Sequence, residues 1–181
     1  MQQMAPDDLY QQLADVAQRY MQQSTHLPVQ ASLEPVRTVV CFHVMGCPVA
    51  VLLEEISELL EVPPCTRLPR VKPWVRGVAN VRGRLTPIID FAAFLGGDLQ
   101  TPPKRQRVLL VEHGNVLAGL IIEDLVGMRH FRVDSYKEQR ESVPPSLARF
   151  VSGTFFEDSA LWAVLRPEAL LNFEEFLDVA A

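Results

Sequence analysis

The chain is poor in the side chains that carry catalysis and bind metals. Its 181 residues include three cysteines and four histidines. Cys41, Cys47 and Cys65 are odd in number and match no metal-ligand spacing. His26, His43, His113 and His130 are scattered, none sits beside a cysteine, and no pair has the helical or hairpin spacing of a metal site. The chain has no G-x-S-x-G elbow, no phosphate-cradling P-loop and no G-x-G-x-x-G turn. No catalytic residue, metal or cofactor is therefore expected. Long apolar runs are also missing: none approaches the ~20 residues that cross a bilayer. The N-terminus, MQQMAPDDLYQQL, lacks the basic and apolar regions of a secretory signal. A reducing cytosolic setting follows as an expectation, with thiols serving as small core residues and no direct membrane insertion.

There is ample material for a core. Hydrophobic residues make up 48% of the chain and charged ones 22%, which excludes wholesale disorder. The net charge of −5 is unevenly spread. Residues 67–107 hold Arg67, Arg70, Lys72, Arg76, Arg82, Arg84, Lys104, Arg105 and Arg107 against Asp90 and Asp98, a net of +7, so the remainder carries −12. Such a segment suits an acidic protein partner or nucleic acid; alternatively its side chains diverge and only solvate the surface.

Residues 7–24 have helical period, with Leu9, Leu13, Val16 and Tyr20 on one stripe and Asp7 or Asp8 as N-cap. STHLPVQASLEP (24–35) reads as a linker, so residues 1–35 form a helix and linker ahead of the main body. From Thr38 the pattern changes to strands. TVVCFHVM and VAVLL flank a turn at Gly46-Cys47-Pro48, and RVLLVEH and VLAGLII flank Gly114-Asn115. LLEEI (52–56) matches IIEDL (121–125), and WVRGVANVRGRLTPIIDFAAFL (74–95) lies without gaps over FVSGTFFEDSALWAVLRPEALL (150–171). Each half reads hairpin, connector, hairpin, helical turn. A repeat of about 70 residues with some five short strands predicts two small β-barrels. Glu54/Glu55 and Glu123/Asp124 fall at equivalent places and read as turn or strand-end residues. Asp90 caps the turn FAAFL, with Gly96-Gly97 closing it. PEALLNFEEFLDVAA forms a C-terminal helix whose apolar stripe either packs between the barrels or docks a partner.

WVRGVANVRGRLTPIID (74–90) reads as a buried strand pair through Val75, Val78, Val81, Leu85, Ile88 and Ile89, yet it carries three arginines. In a strand over 75–82, Val75, Gly77, Ala79 and Val81 share the inner face, while Arg76, Val78, Asn80 and Arg82 face outward. Arginines around an apolar spot have the composition of a docking surface. Trp74 is either an anchor for it or a core indole. Pro48 and Pro87 are expected to blunt exposed strand edges.

V-R-G-V-A-N-V-R-G-R-L-T-P-I-I-D strongly resembles the signature of CheW-like coupling proteins, the bacterial adaptors that join chemoreceptors to a CheA-type histidine kinase. The resemblance covers roughly residues 36–178, including VAVLLEEISELLEV, VLAGLIIEDLVGM, Val-Ser-Gly at 151–153 and ALLNF. It implies a mainly β fold of two tandem five-stranded SH3-like barrels, with an N-terminal helical extension and a C-terminal helix. By position it implies receptor contact through Leu53, Ile56, Gly77, Asn80 and Arg82, and kinase contact through Glu58 and Arg76. The partners implied are the kinase's regulatory domain and a chemoreceptor's cytoplasmic tip, with self-assembly in arrays recruited to membrane receptors. EVPPCT (61–66) departs from the usual pattern. The extension 1–35 resembles the PilI type, which serves a pilus-linked system controlling twitching motility. The alternative is a small-barrel nucleic-acid-binding protein drawing on the +7 segment. The acidic remainder and the lack of an outward aromatic ladder count against nucleic acid as a partner. A third reading is a structural protein that assembles through its first helix.

Overall fold

Strands that are apolar on both faces determine the layering of this protein. In β1 (Val36–Val44), Val39 and Cys41 point one way and Val40, Phe42 and Val44 the other, and all five are buried. The same holds for Val108 and Leu110 against Leu109 and Val111 in β6 (Arg107–His113), and for Ile121 against Leu120 and Ile122 in β7 (Val116–Ile122). Because strand side chains alternate between faces, each such strand must lie between two apolar layers. The layers are three. A large core runs between two sheets and contains Phe42, Val49, Phe91, Leu109, Leu120 and Leu170. Smaller cores fill the concave side of each sheet, one around Val39, Cys41, Phe131 and Trp162 and the other around Ala79, Ile88, Val108 and Ile121. Cys41 is fully buried, and desolvation pushes its thiol up to about 11.

The computed structural model describes residues 35–181, and the chain divides into two units after Glu34. The helix and linker expected over 1–35 lie, but for Pro35, outside the described residues. The remaining strands are β2 (Cys47–Leu52), β3 (Glu58–Glu61), β4 (Val75–Val81), β5 (Arg84–Asp90), β8 (Leu125–Arg132), β9 (Tyr136–Lys137), β10 (Val151–Glu157) and β11 (Ala160–Leu165). Among the described residues there are also four short helices: α1 (Phe91–Phe94), α2 (Pro145–Ala148), α3 (Pro167–Leu171) and α4 (Glu174–Leu177). The protein is mainly β, with two curled sheets as the repeat predicts. One has the strand order β8-β1-β2-β11-β10-β9 and the other β3-β6-β7-β5-β4. Curling is visible in the first sheet, where Phe131 of β8 meets Phe155 of β10 and Trp162 of β11, with ring centroids 5.4 and 6.0 Å apart.

The chain fills these sheets crosswise. The first hairpin of the first repeat, β1–β2, joins β8, β9, β10 and β11 of the second; the first hairpin of the second repeat, β6–β7, joins β3, β4 and β5 of the first. Each sheet joins the repeats twice, once antiparallel (β1 with β8, β3 with β6) and once by a short parallel pairing: Val49–Val51 beside Ala163–Leu165, and Ile88–Asp90 beside Gly119–Ile121. β2 and β5 are therefore interior strands, so Pro48 and Pro87 do not blunt free edges. Each instead precedes the stretch where parallel pairing begins.

Repeat-equivalent glycines serve the same end in both sheets. A Cβ on Gly77 would stand 2.3 Å from the Thr66 carbonyl oxygen, and one on Gly153 would stand 2.3 Å from that of Lys137. Both lie at a bulge in their hairpin, where another strand closes against the backbone. The first hairpin turns at Met45-Gly46, with φ of 52° and 73°. That is one residue earlier than the expected Gly46-Cys47-Pro48, because Val44 pairs with Cys47. The Asp90 cap is as expected: its Oδ1 accepts the Ala93 N–H at 3.0 Å, and Gly96 and Gly97 donate to Ala93 and Ala92. The C-terminal helix is two short helices, because Phe173 is extended (φ −79°, ψ 124°). Leu170, Leu171 and Phe176 belong to the inter-sheet core, so the stripe packs rather than docks. Beyond it, Val71 pairs with Ala180.

Glu123 is 2% exposed and accepts backbone N–H groups from Met45 at 3.1 Å, Gly46 at 3.3 Å and Gln100 at 2.9 Å. It ties the β1–β2 turn to the loop after α1. Its repeat equivalent, Glu54, is exposed and paired with Arg37. Glu123→Ala removes three hydrogen bonds to a buried carboxylate that tie two loops together and is expected to lower unfolding free energy by about 3 kcal/mol. Glu54→Ala should move it by less than about 0.5 kcal/mol; chemical denaturation midpoints separate the two. Gly77→Ala and Gly153→Ala should each lower thermal midpoints far more than Gly83→Ala, since a Cβ at Gly83 meets nothing within 4 Å.

Candidate partner-docking surface

The β4–β5 turn consists of two residues, Arg82 (φ 50°) and Gly83 (φ 82°). Positive φ at both positions matches the right-handed twist of the flanking strands. At Arg82 it costs about 1 kcal/mol, because a side chain is present. Asn80 supports the turn, its Oδ1 accepting the Gly83 N–H at 2.8 Å. The result is a guanidinium held at a hairpin tip with its side chain 79% exposed.

The three arginines are exposed, and each has an acidic neighbour. Arg76 faces outward as strand alternation predicts, and Arg82 through its place in the turn. Arg84 is exposed at the end of β5, although alternation puts it on the face of buried Thr86. Arg82 donates to Glu58 at 2.7 Å. Arg84 forms a two-pronged pair with Glu112 at 2.9 and 2.8 Å, and this hydrogen bonding holds the Glu112 carboxyl below its ordinary range. Arg76 lies 3.8 Å from Asp90. Their side chains remain 49–79% exposed, so these are surface pairs, screened by solvent and of little weight in stability. Arg82 and Glu58, which the resemblance assigns to different partners, thus form a single ion pair across the β3 and β4 edges.

Beside them, Leu85 is 72% exposed, whereas the apolar pattern counts it as buried. The two-residue turn sets the register that places it opposite outward-facing Asn80; buried Thr86 fills the inward position and donates to the Arg84 carbonyl. Val78 is only half-buried. Gly77 is buried and acts by letting the Thr66 strand approach. Trp74 is a core indole, stacked on Phe176 and edge-on to Phe94, and is not an anchor. Arg76 stands six residues before Arg82 on β4, roughly 20 Å away along the strand.

Leu53 and Ile56 lie where the chain leaves β2 through a 3-10 turn, Leu53–Glu55. Leu53 is exposed, and half-buried Ile56 packs against the inter-sheet core. Between them Glu55 has one carboxylate oxygen buried without a hydrogen-bond partner. Burial raises its pKa, and neighbouring Glu54 and Glu168 add to the effect. Among the described residues no group of histidine, cysteine or carboxylate side chains could hold a metal ion.

The model of the CheW-like domain matches residues 38–175. This chain belongs to the CheW-like family. It is 42% identical over 171 residues to Protein PilI of Pseudomonas aeruginosa, covering 94% of this chain and 96% of that one. It is 30% identical over 153 residues to Protein FrzA of Myxococcus xanthus, covering 83% and 91%. The crystal structure of the scaffolding protein TtCheW from Thermoanaerobacter tengcongensis superposes with a TM-score of 0.65 at 20% identity, over 73% of this chain and 90% of that one; at that identity it speaks for the fold. No described helix is long and apolar enough to cross a membrane.

Glu55 gives a pH signature. A carboxyl whose folded pKa is raised above its unfolded value of about 4.5 binds more protons in the folded state. Its contribution is therefore most favourable at low pH and is lost as pH rises through the folded value. Glu55→Gln is expected to raise the thermal midpoint at pH 7 and to leave it unchanged well below pH 4.5, as calorimetry at the two pH values would show.

Proposed function

We propose that this protein couples chemoreceptors to a CheA-type histidine kinase in a chemosensory array, in the branch that controls type IV pilus twitching motility. What carries the reading is the near full-length identity to PilI, joined to an arginine raised on a strained turn and left largely exposed. Membership in the CheW-like family supports the two classes of partner. The protein works without making or breaking bonds, in the cytoplasm, at receptor arrays.

Leu53, Ile56, Asn80 and Arg82 face the receptor's helical tip, with Gly77 shaping the wall beneath them. Glu58 and Arg76 face the kinase's regulatory domain. The Arg82–Glu58 pair then links the two contacts: a partner that draws Arg82 away releases Glu58, and the reverse. An adaptor transmits a signal only where receptor states engage it unequally, and a weak, exposed ion pair is easily biased in this way. The main-body domain runs from residue 36 to about 178, with residues 1–35 as a separate extension.

Arg82→Glu tests this reading. It should weaken co-sedimentation with receptor–kinase assemblies at least tenfold and abolish kinase activation, while the thermal midpoint shifts by less than about 4 °C. Undiminished assembly and activation by that variant would refute the coupling role.

A further inference from the structure

A second surface lies on the connector between β3 and β4. Arg67, Lys72 and Arg76 line a cleft of about 240 Å3 whose floor is Leu68, Val71 and Val75. Arg70, on the same connector, is exposed and has φ 56°. Residues 67–76 contain four cations and no acid. Lys72 is paired with Asp178 at 3.0 Å and Arg76 loosely with Asp90 at 3.8 Å. Arg67 and Arg70 have no acidic partner among the described residues, and Leu68 is 41% exposed.

The connector is clamped on both sides. Thr66 exchanges N–H···O bonds with Val78 at 2.8 and 2.9 Å. Lys72 donates to Val179 at 3.0 Å, and Ala181 donates to Arg70 at 3.1 Å. The backbone that carries the charges is therefore held in place without help from a ligand, which lowers the ordering cost of binding.

We infer that this cleft binds a short acidic polypeptide segment of a partner protein, with carboxylates on Arg67 and Arg70 and one apolar side chain against Leu68. Charge complementarity requires an anion, and the apolar floor requires a greasy group beside it. Glu174, Glu175 and Asp178 border Lys72 in the adjoining depression, so the positive track is short. That suits two or three carboxylates better than a continuous phosphate backbone. The indole available for base stacking, Trp74, is buried. The inference shares Arg76 with the kinase-facing surface proposed above but does not rest on that reading, because the paired Arg82 and Glu58 lie at the far end of β4.

Fluorescence anisotropy with the full chain tests it. The probe is a labelled twelve-residue peptide rich in glutamate with one central leucine; its comparators are the same peptide with glutamine for glutamate, a single-stranded oligonucleotide, and phosphatidylglycerol vesicles. The acidic peptide should bind at low salt, weaken as salt rises, and bind at least tenfold more weakly to the Arg67→Glu/Arg70→Glu variant. Leu68→Ser should weaken it severalfold with the salt dependence unchanged, and Arg82→Glu should leave it unaltered. Circular dichroism checks that each variant is folded. No measurable peptide binding, equal binding of the glutamine peptide, indifference to the double charge reversal, or tighter binding of oligonucleotide or vesicles through the same arginines would each overturn the inference. Undiminished receptor–kinase assembly and activation by Arg82→Glu, with peptide binding behaving as expected, would count against the coupling proposal alone.

Discussion

Everything in this molecule leans on the apolar layer between its two sheets. Phe42, Val49, Leu109 and Leu120 meet Leu170 of α3 there, and the strands that supply the first four are buried on the opposite face as well. A strand enclosed on both faces has no freedom of register, because slipping by one residue exchanges two sets of side chains at once. That rigidity allows a single hairpin tip to be aimed. The guanidinium of Arg82 is only as well placed as the β4–β5 ladder beneath it, and that ladder is held by the parallel joint to β7.

The proposed docking surface is made of modest interactions on a stiff support. Exposed ion pairs add little to stability, and the left-handed backbone at Arg82 subtracts from it. A protein selected only for stability would place glycine or asparagine in that position. Keeping an arginine there makes sense where the side chain is meant for another molecule. The same economy explains why paired charges surround exposed Leu85: the pairs keep the wall soluble, and each can open when a partner offers something better.

Much of this was legible in the sequence, and the failures have identifiable causes. Alternation along 75–81 correctly sorts Arg76 and Asn80 outward from Ala79 and Val81, because period two is imposed by backbone geometry, whereas Arg82 is outward through its place in the turn. The Asp90 cap and its glycine stop were also readable, being local. Leu85 was misplaced because hydrophobicity was weighed ahead of register, although the two-residue turn contained the information. Glu123 and Glu54 look alike in sequence, but one is buried on three N–H groups and the other pairs with Arg37 at the surface. Only tertiary contact breaks that degeneracy. The crosswise pairing was equally hidden, since a repeat shows what its units are and not which unit each will join.

The crosswise route bears on how the chain comes to be folded at all. β2 leaves the ribosome over a hundred residues before β11, the strand that completes its parallel edge. Until then the hairpin carries an unsatisfied, strongly apolar margin of the kind that templates aggregation. Neither half can close a barrel from its own material, so the protein cannot mature one domain at a time. Its birth is all-or-none, slow in the manner of folds dominated by distant contacts, and a chain severed between α1 and β6 would regain structure only by finding its missing half.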